Sequence, residues 1–324
     1  MATVQTARGI EVDTSRLGFT LMHEHLISPD TNLVQNWPHL FNRHDEVIAL
    51  AAQLQSLHMA GVRSIVDLTT GNMGRDAALL KEVAMRTDLH IIAATGTHLN
   101  LLGYFRRPTV DPIVDLYVRD INVGIADTGV RAAILKIATE KTTPEDELQL
   151  RAVALAHRAT GVPISTHHNS FELKNGLHQQ SIFAAEGVDL SRVIIGHSGD
   201  TTDLDYLMKM LDAGSTIGMD RFGARIPAIT HEERCQTVAD LCKRGYASQM
   251  VLSHDAAGYS MRYGSYIEPR TRPHVLADRL PEFNFFHVPV RVLTTLRQMG
   301  VAEEHITAMT TDNPRRIFET QGAY

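Results

Sequence analysis

Across 324 residues there are only two cysteines and one tryptophan, and no stretch approaches the ~20 apolar residues that cross a bilayer. Cys235 and Cys242 fall in a segment of helical character about two turns apart, too far to bridge. No disulfide framework is therefore expected, and two reduced thiols fit a cytosolic compartment. Neither sign of charge gathers into long runs, and the net charge of -6 is modest for this length, so nucleic acid is not an expected partner. The opening MATVQTARGIEVDTSRLG lacks the charged-then-apolar pattern of a signal peptide. The expectation is a cytoplasmic protein without membrane contact. Also missing is a Gly-rich phosphate fingerprint after any β-prone run, which removes the best marker of open-sheet nucleotide binders.

What is present suits a large α/β core. Hydrophobic residues make up 44% and charged residues 21%, ample for a buried interior and without the bias of a disordered chain. Eight β-prone runs recur between amphipathic stretches: Phe19 to His23, Ser64 to Leu68, His90 to Ala94, Ala132 to Ile137, Pro163 to His167, Val193 to His197, Ser215 to Met219 and Met250 to His254. Helix candidates separate them, among them Asp45 to Ala60, Arg75 to Arg86, Pro144 to Thr160, Leu204 to Ala213 and His231 to Arg244. Thr143, Pro144 and Asp146 form a start signal, and Gly61, Gly161 and Gly214 supply stops. Such alternation also suits a doubly wound open sheet, but eight strands favour a (β/α)8 TIM barrel spanning 1–324 as one domain. The segment from Ala256 to Phe286 has no clear period and reads as a long loop after the eighth strand, of the kind that shapes a substrate pocket. From Val288 to Thr320 the pattern predicts one long helix and then shorter ones.

In a barrel, polar residues at the C-terminal strand ends meet at one mouth. His23 and His25 are spaced by two, which puts both imidazoles on one face of an extended chain. Lys136 sits in AAILKIAT, so apolar that a lysine there needs a reason. Three readings are open: a structural ion pair, with Asp255 as the candidate partner, a Schiff-base former, or a carbamate made by carboxylation that bridges two cations. His167 in VPISTHHNS and His197 in VIIGHSGDT end neighbouring strands, with His168 as substitute for His167 if the strand end is off by one. Asp255 in MVLSHDAAG can complete a metal shell and handle protons, or act as a helix cap. Together, His23, His25, Lys136, His167, His197 and Asp255 predict two divalent metal ions, Zn first and Co, Mn or Fe as other fits, with N6-carboxylysine at Lys136. The two cations would hold a bridging hydroxide for attack on a carbonyl, with Asp255 as its proton acceptor.

The motifs LMHEHL, DLTT, AATGTH, ILKIAT, STHH, IGHSGDT, GMDRFG, LSHDA and TTDNPRRIF, in that order across nearly the whole chain, resemble the phosphotriesterase-like lactonases of the amidohydrolase superfamily. The resemblance implies that His23, His25 and Asp255 ligate a buried metal, that His167 and His197 ligate an exposed one, and that carboxylated Lys136 bridges them. DRFG and SHDA resemble the lactonase branch, closest to bacterial enzymes that open N-acyl-homoserine lactones and quench quorum signals. The implied function is metal-dependent lactonase, with promiscuous phosphotriesterase or aryl esterase action, or either of these as main activity. A Schiff-base aldolase using Lys136 is the alternative of another class. Arg221 at the pocket mouth, His98 where many relatives carry a Tyr, and Tyr259 are the substrate-binding candidates. An ion pair of Arg221 with Asp220 or another carboxylate is the plainer reading, as is ordinary loop packing for Tyr259, Met261, Tyr263 and Tyr266. Trp37 and Phe41 read as core or interface anchors. Family members commonly form homodimers, with a small-molecule lactone as substrate.

Overall fold

The computed structural model describes residues 2–101, 103–105, 109–224, 229–261, 282–319 and 322–324. A short antiparallel hairpin, Thr3–Gln5 with Glu11–Asp13, precedes the main sheet. That sheet consists of β1 (Thr20–Ser28), β2 (Ser64–Asp67), β3 (His90–His98), β4 (Ile134–Ala138), β5 (Ile164–His167), β6 (Val193–Ile195), β7 (Thr216–Met219), β8 (Met250–Leu252) and β9 (Ala257–Ser260). All pairings among them are parallel, in the order β8-β7-β6-β5-β4-β3-β2-β1-β9. Because β9 continues β8 after the break Ser253–Ala256, the two ends of the sheet belong to one interrupted strand, and the sheet closes on itself. Two bonds across the break, Asp255 N–H to His23 O at 3.0 Å and His25 N–H to Ala256 O at 2.8 Å, complete the closure. The fold is the expected (β/α)8 barrel.

Period-two alternation decides which side chains fill it. Ile65, Ile91, Leu135, Ile195 and Leu252 join the layer between sheet and helices. Their neighbours Val66, Ile92, Ile134, Ile194 and Val251 form the inner plug with Met22, Leu17, Ile317 and Phe318. Lys136 shares a face with Ile134 and so points inward. On β1 the pairing with β2 shifts register between Leu21 and Glu24, so Met22 stays in the plug while His23 and His25 reach the mouth.

Helices Arg43–Met59, Ala77–Ala84, Pro144–Thr160, Leu204–Asp212 and His231–Lys243 lie close to the expected bounds. Thr143 and Asp146 form a reciprocal capping box, and Gly161 closes the same helix in the left-handed conformation at φ 75°. The C-terminal region differs from expectation. A π-helical turn, His287–Val292, runs into Leu293–Gln298, and a second stretch covers Glu303–Phe318 with its own π turn at Ala308–Asp312. No single long helix forms, because Gly300 takes φ 81° between the two. Trp37 is 50% exposed and is therefore not a core residue. Residues 262–281, the greater part of the expected pocket loop and the positions of Tyr263 and Tyr266, lie outside the described residues.

The π turn carries a buried neutral histidine pair. Thr295 Oγ1 donates to Arg291 O at 3.1 Å and therefore accepts from His231 Nε2 at 2.9 Å. His231 Nδ1 is thus the acceptor for His287 Nε2 at 3.1 Å. Burial, then His231 and His254, lower the His287 pKa from 6.5 to about 4. Above pH 6.5 both states are neutral there; as pH falls below it the unfolded chain takes the proton first, so stability drops down to about pH 4. Between pH 7 and 5 this costs about 2 kcal/mol, at ~1.4 kcal/mol per unit. Urea unfolding at the two pH values should therefore show a larger loss for the parent than for His287→Asn; equal losses would dismiss the pair as an acid-labile element.

Candidate metal centre

The inward residues at the mouth come together as their strand positions require. His25 Nε2 lies 3.0 Å from Asp255 Oδ1, His23 Nε2 3.4 Å from the same oxygen, and His197 Nε2 3.8 Å from Oδ2. The His167 ring packs edge-on against that of His197, with centroids 4.5 Å apart. Lys136, 1% exposed, directs Nζ to His23 Nε2 at 3.1 Å and Thr166 O at 3.4 Å. Among the described residues, His23, His25 and Asp255 offer ligand atoms close enough to share one ion, as do His23, His197 and Asp220.

The protonation states suit a cation. Burial first, and then Arg221 together with Lys136 or His167, hold the His167 and His197 imidazoles well below their ordinary range. Burial and Lys136 also lower the pKa of His23. These rings are neutral at pH 7, with lone pairs to give. Burial pushes the Asp255 carboxyl up, but His23, His197 and Arg221 outweigh it and hold it well below the carboxylate range. With the histidines uncharged near neutrality, Arg221 is the group that keeps Asp255 ionised, its Nε donating to Oδ2 at 2.9 Å.

The first and sixth strands have other ends than expected, while Asp255 follows the eighth strand as expected. His23 and His25 lie within β1, which continues to Ser28. His197 and Asp255 fall past β6 and β8, both with left-handed backbones at φ 64° and 59°. Non-glycine residues take that conformation at a cost of order 1–3 kcal/mol, commonly where a side chain must be aimed. His168 turns away and donates from Nδ1 to Gly196 O at 2.7 Å, while His167, the last residue of β5, is the one whose ring meets His197. His98 is the last residue of β3, its ring 5.4 Å from that of His167. Arg221 does not pair with Asp220. It bridges Asp255 and Asp200, whose Oδ2 accepts from Nη1 at 2.8 Å. Tyr259 is not brought to the cluster: at 2% exposed it lies in the layer outside the sheet, edge-on to Phe41 at 5.1 Å. Strand β9 stands where a loop is expected and directs the side chain outward.

Several supporting residues escaped the sequence reading. Asp220, directly after β7, accepts from His23 Nδ1 at 2.7 Å and from His197 Nδ1 at 3.0 Å and N at 2.7 Å, fixing the two rings so that their Nε2 atoms face inward. Glycine makes its seat: a Cβ on Gly218 would stand 2.5 Å from Asp220 Oδ2, and one on Gly196 would stand 3.1 Å from the same oxygen. Glu24, between the two β1 histidines and fully buried, accepts from Ser253 Oγ, His254 N, His254 Nδ1 and Ala256 N at 2.8, 3.0, 2.6 and 2.9 Å. It clamps the break that carries Asp255. His25 Nδ1 meets Thr69 Oγ1 at 3.0 Å. Position in HEH and after β7 was the only available signal for Glu24 and Asp220.

A (β/α)8 barrel whose mouth gathers neutral histidines around an ionised aspartate defines a metal-binding hydrolase type of site. The model of the phosphotriesterase family matches residues 2–318, and the chain belongs to that family of hydrolases. A phosphotriesterase homology protein of Mycobacterium tuberculosis is 44% identical over the full length of both chains. An aryldialkylphosphatase of Saccharolobus solfataricus is 34% identical over 95% of this chain and 96% of its own. The solved structure of the phosphotriesterase from Mycobacterium tuberculosis superposes with a TM-score of 0.90, covering 99% of this chain and 100% of that one. No helix among the described residues is long and apolar enough to cross a membrane.

Proposed function

We propose that the chain is a binuclear metal-dependent lactonase that opens N-acyl-homoserine lactones, a quorum-quenching role in the cytoplasm. The observation that carries this reading is the convergence of His23, His25 and His197 on Asp255, with Lys136 reaching the same His23 nitrogen and Arg221 on the other carboxylate oxygen. In it, His23, His25 and Asp255 would hold one cation and His167 and His197 the other, with Lys136, N6-carboxylated, as a ligand they would share. Imidazole and carboxylate donors suit Zn first, with Co, Mn or Fe as alternatives. Bound there, two cations would supply an acidified water and Lewis acidity for a carbonyl.

The chain's own residues do the rest. Asp255, ionised, takes a proton from the attacking water and passes it to the ring oxygen as its bond to the carbonyl carbon breaks. Arg221 keeps that carboxylate charged and aimed, and Asp200, itself held by Arg234 at 2.8 Å, keeps Arg221 in place. His98 and Arg221 are the substrate contacts, and Arg221 in DRFG supports a lactone. A homodimer would give half-exposed Trp37 a covering surface.

The name of the archaeal relative favours a second reading, phosphotriester hydrolysis as main activity. Specificity constants for a long-chain acyl-homoserine lactone and a paraoxon-type ester, measured on the zinc-loaded enzyme, separate the two. The lactone is expected to lead by at least about tenfold, equivalent to ~1.4 kcal/mol of transition-state preference. A lead of the phosphotriester would establish the second reading instead.

A further inference from the structure

We propose that Glu140 is the carboxylate that fixes the tautomer of His167 and so tunes one, and only one, of the two cation positions. This rests on the two-cation reading above. Three of the site histidines follow one rule: His23 and His197 are tied at Nδ1 by Asp220, and His25 meets Thr69 at Nδ1, so each presents Nε2 toward Asp255. His167 breaks it. Its Nε2 donates to Glu140 Oε1 at 3.1 Å. A neutral imidazole has one N–H and one lone pair, so with a carboxylate on Nε2 the proton stays there and Nδ1 is the nitrogen left for a cation.

The contact is built by fixed backbone. Glu140 follows β4, the strand that delivers Lys136, and its neighbour Thr139 is locked to β5: Thr139 N–H donates to His167 O at 3.1 Å. Gln179, fully buried, donates from Nε2 both to Thr139 Oγ1 at 2.8 Å and to His167 O at 2.9 Å. Asn175 Nδ2 adds a bond to Thr139 O at 3.2 Å. The His167 ring is further held edge-on between His197 and His98. Glu140 itself is 48% exposed, so its replacement removes a partner of His167 without opening the core. It therefore acts through His167 as a positioning residue.

The test is a chelator titration of zinc-loaded protein, recording the equivalents of zinc released, with apo-protein thermal unfolding alongside. The parent should release two equivalents. Glu140→Ala should release one of them at about 10–100-fold lower chelator, the range that outer-sphere partners command, while the other equivalent and the apo melting temperature hold. Glu140→Gln, whose side-chain oxygen still accepts from Nε2, should recover part of the loss. Asp220→Asn, which serves His23 and His197 together, should weaken both equivalents. The proposal is overturned if both equivalents in Glu140→Ala match the parent, if both weaken together, or if Gln does no better than Ala. A parent that binds no zinc would overturn the two-cation reading itself.

Discussion

Lys136→Ala is expected to lose both bound metal and most turnover, with part of each returning when short carboxylic acids are added to occupy the space and supply the missing oxygens. The loss should exceed the ~10–100-fold typical of outer-sphere changes, because in the proposed site this side chain touches both cations. A structural lysine would behave differently. Lys136 is 1% exposed between Leu135 and Ile137, and removing its buried ammonium relieves a desolvation penalty of several kcal/mol. Against that, Lys136→Met leaves His23 Nε2 and Thr166 O without this donor, at ~1–3 kcal/mol for a buried group. Stability of the apo Met variant should therefore stay within about 2 kcal/mol of the parent while metal binding collapses. Retention of two metals per chain and normal turnover in either variant would show that the lysine bridges nothing.

Asp255→Asn is expected to leave the barrel folded and cut kcat by about 10²–10⁴-fold, the range for a positioned general base, with KM changed far less. The asparagine keeps the side chain's shape and can still accept from Arg221, so the closure bonds at His23 O and Ala256 O should survive. What disappears is the charge that Arg221 maintains. Far-UV circular dichroism, metal content and steady-state kinetics on one preparation separate the contributions. Unchanged kcat would remove Asp255 from proton transfer; an unfolded product would assign it to the barrel closure.

The sequence made the barrel legible because its signals are local. The apolar runs around Ile65, Ile92, Ile134 and Ile194 are short and β-rich, and Thr143 and Gly161 mark a helix at both ends. The convergence of His23, His25, Lys136, His167, His197 and Asp255 at one end of the barrel was legible too, since each lies in a strand or within three residues of its end. The supporting carboxylates were not, because their meaning is relational. Glu24 looks like a spacer between two histidines until the break after β8 folds against it, and Asp220 looks like Arg221's partner until β1 and β6 bring His23 and His197 to it. Tyr259 was misplaced for a similar reason. The eighth strand resumes after Asp255, and one extra strand segment turns a presumed loop residue outward into the layer under the helices.

Anomalous diffraction at the zinc edge from crystals of the loaded protein decides whether two cations sit at the barrel mouth. Two peaks are expected about 3.5–4 Å apart, one within ~2.0–2.2 Å of His23, His25 and Asp255 and the other equally near His167 and His197, with His167 bound through Nδ1. A map without zinc at the barrel mouth, or with zinc held by other residues, would contradict that expectation.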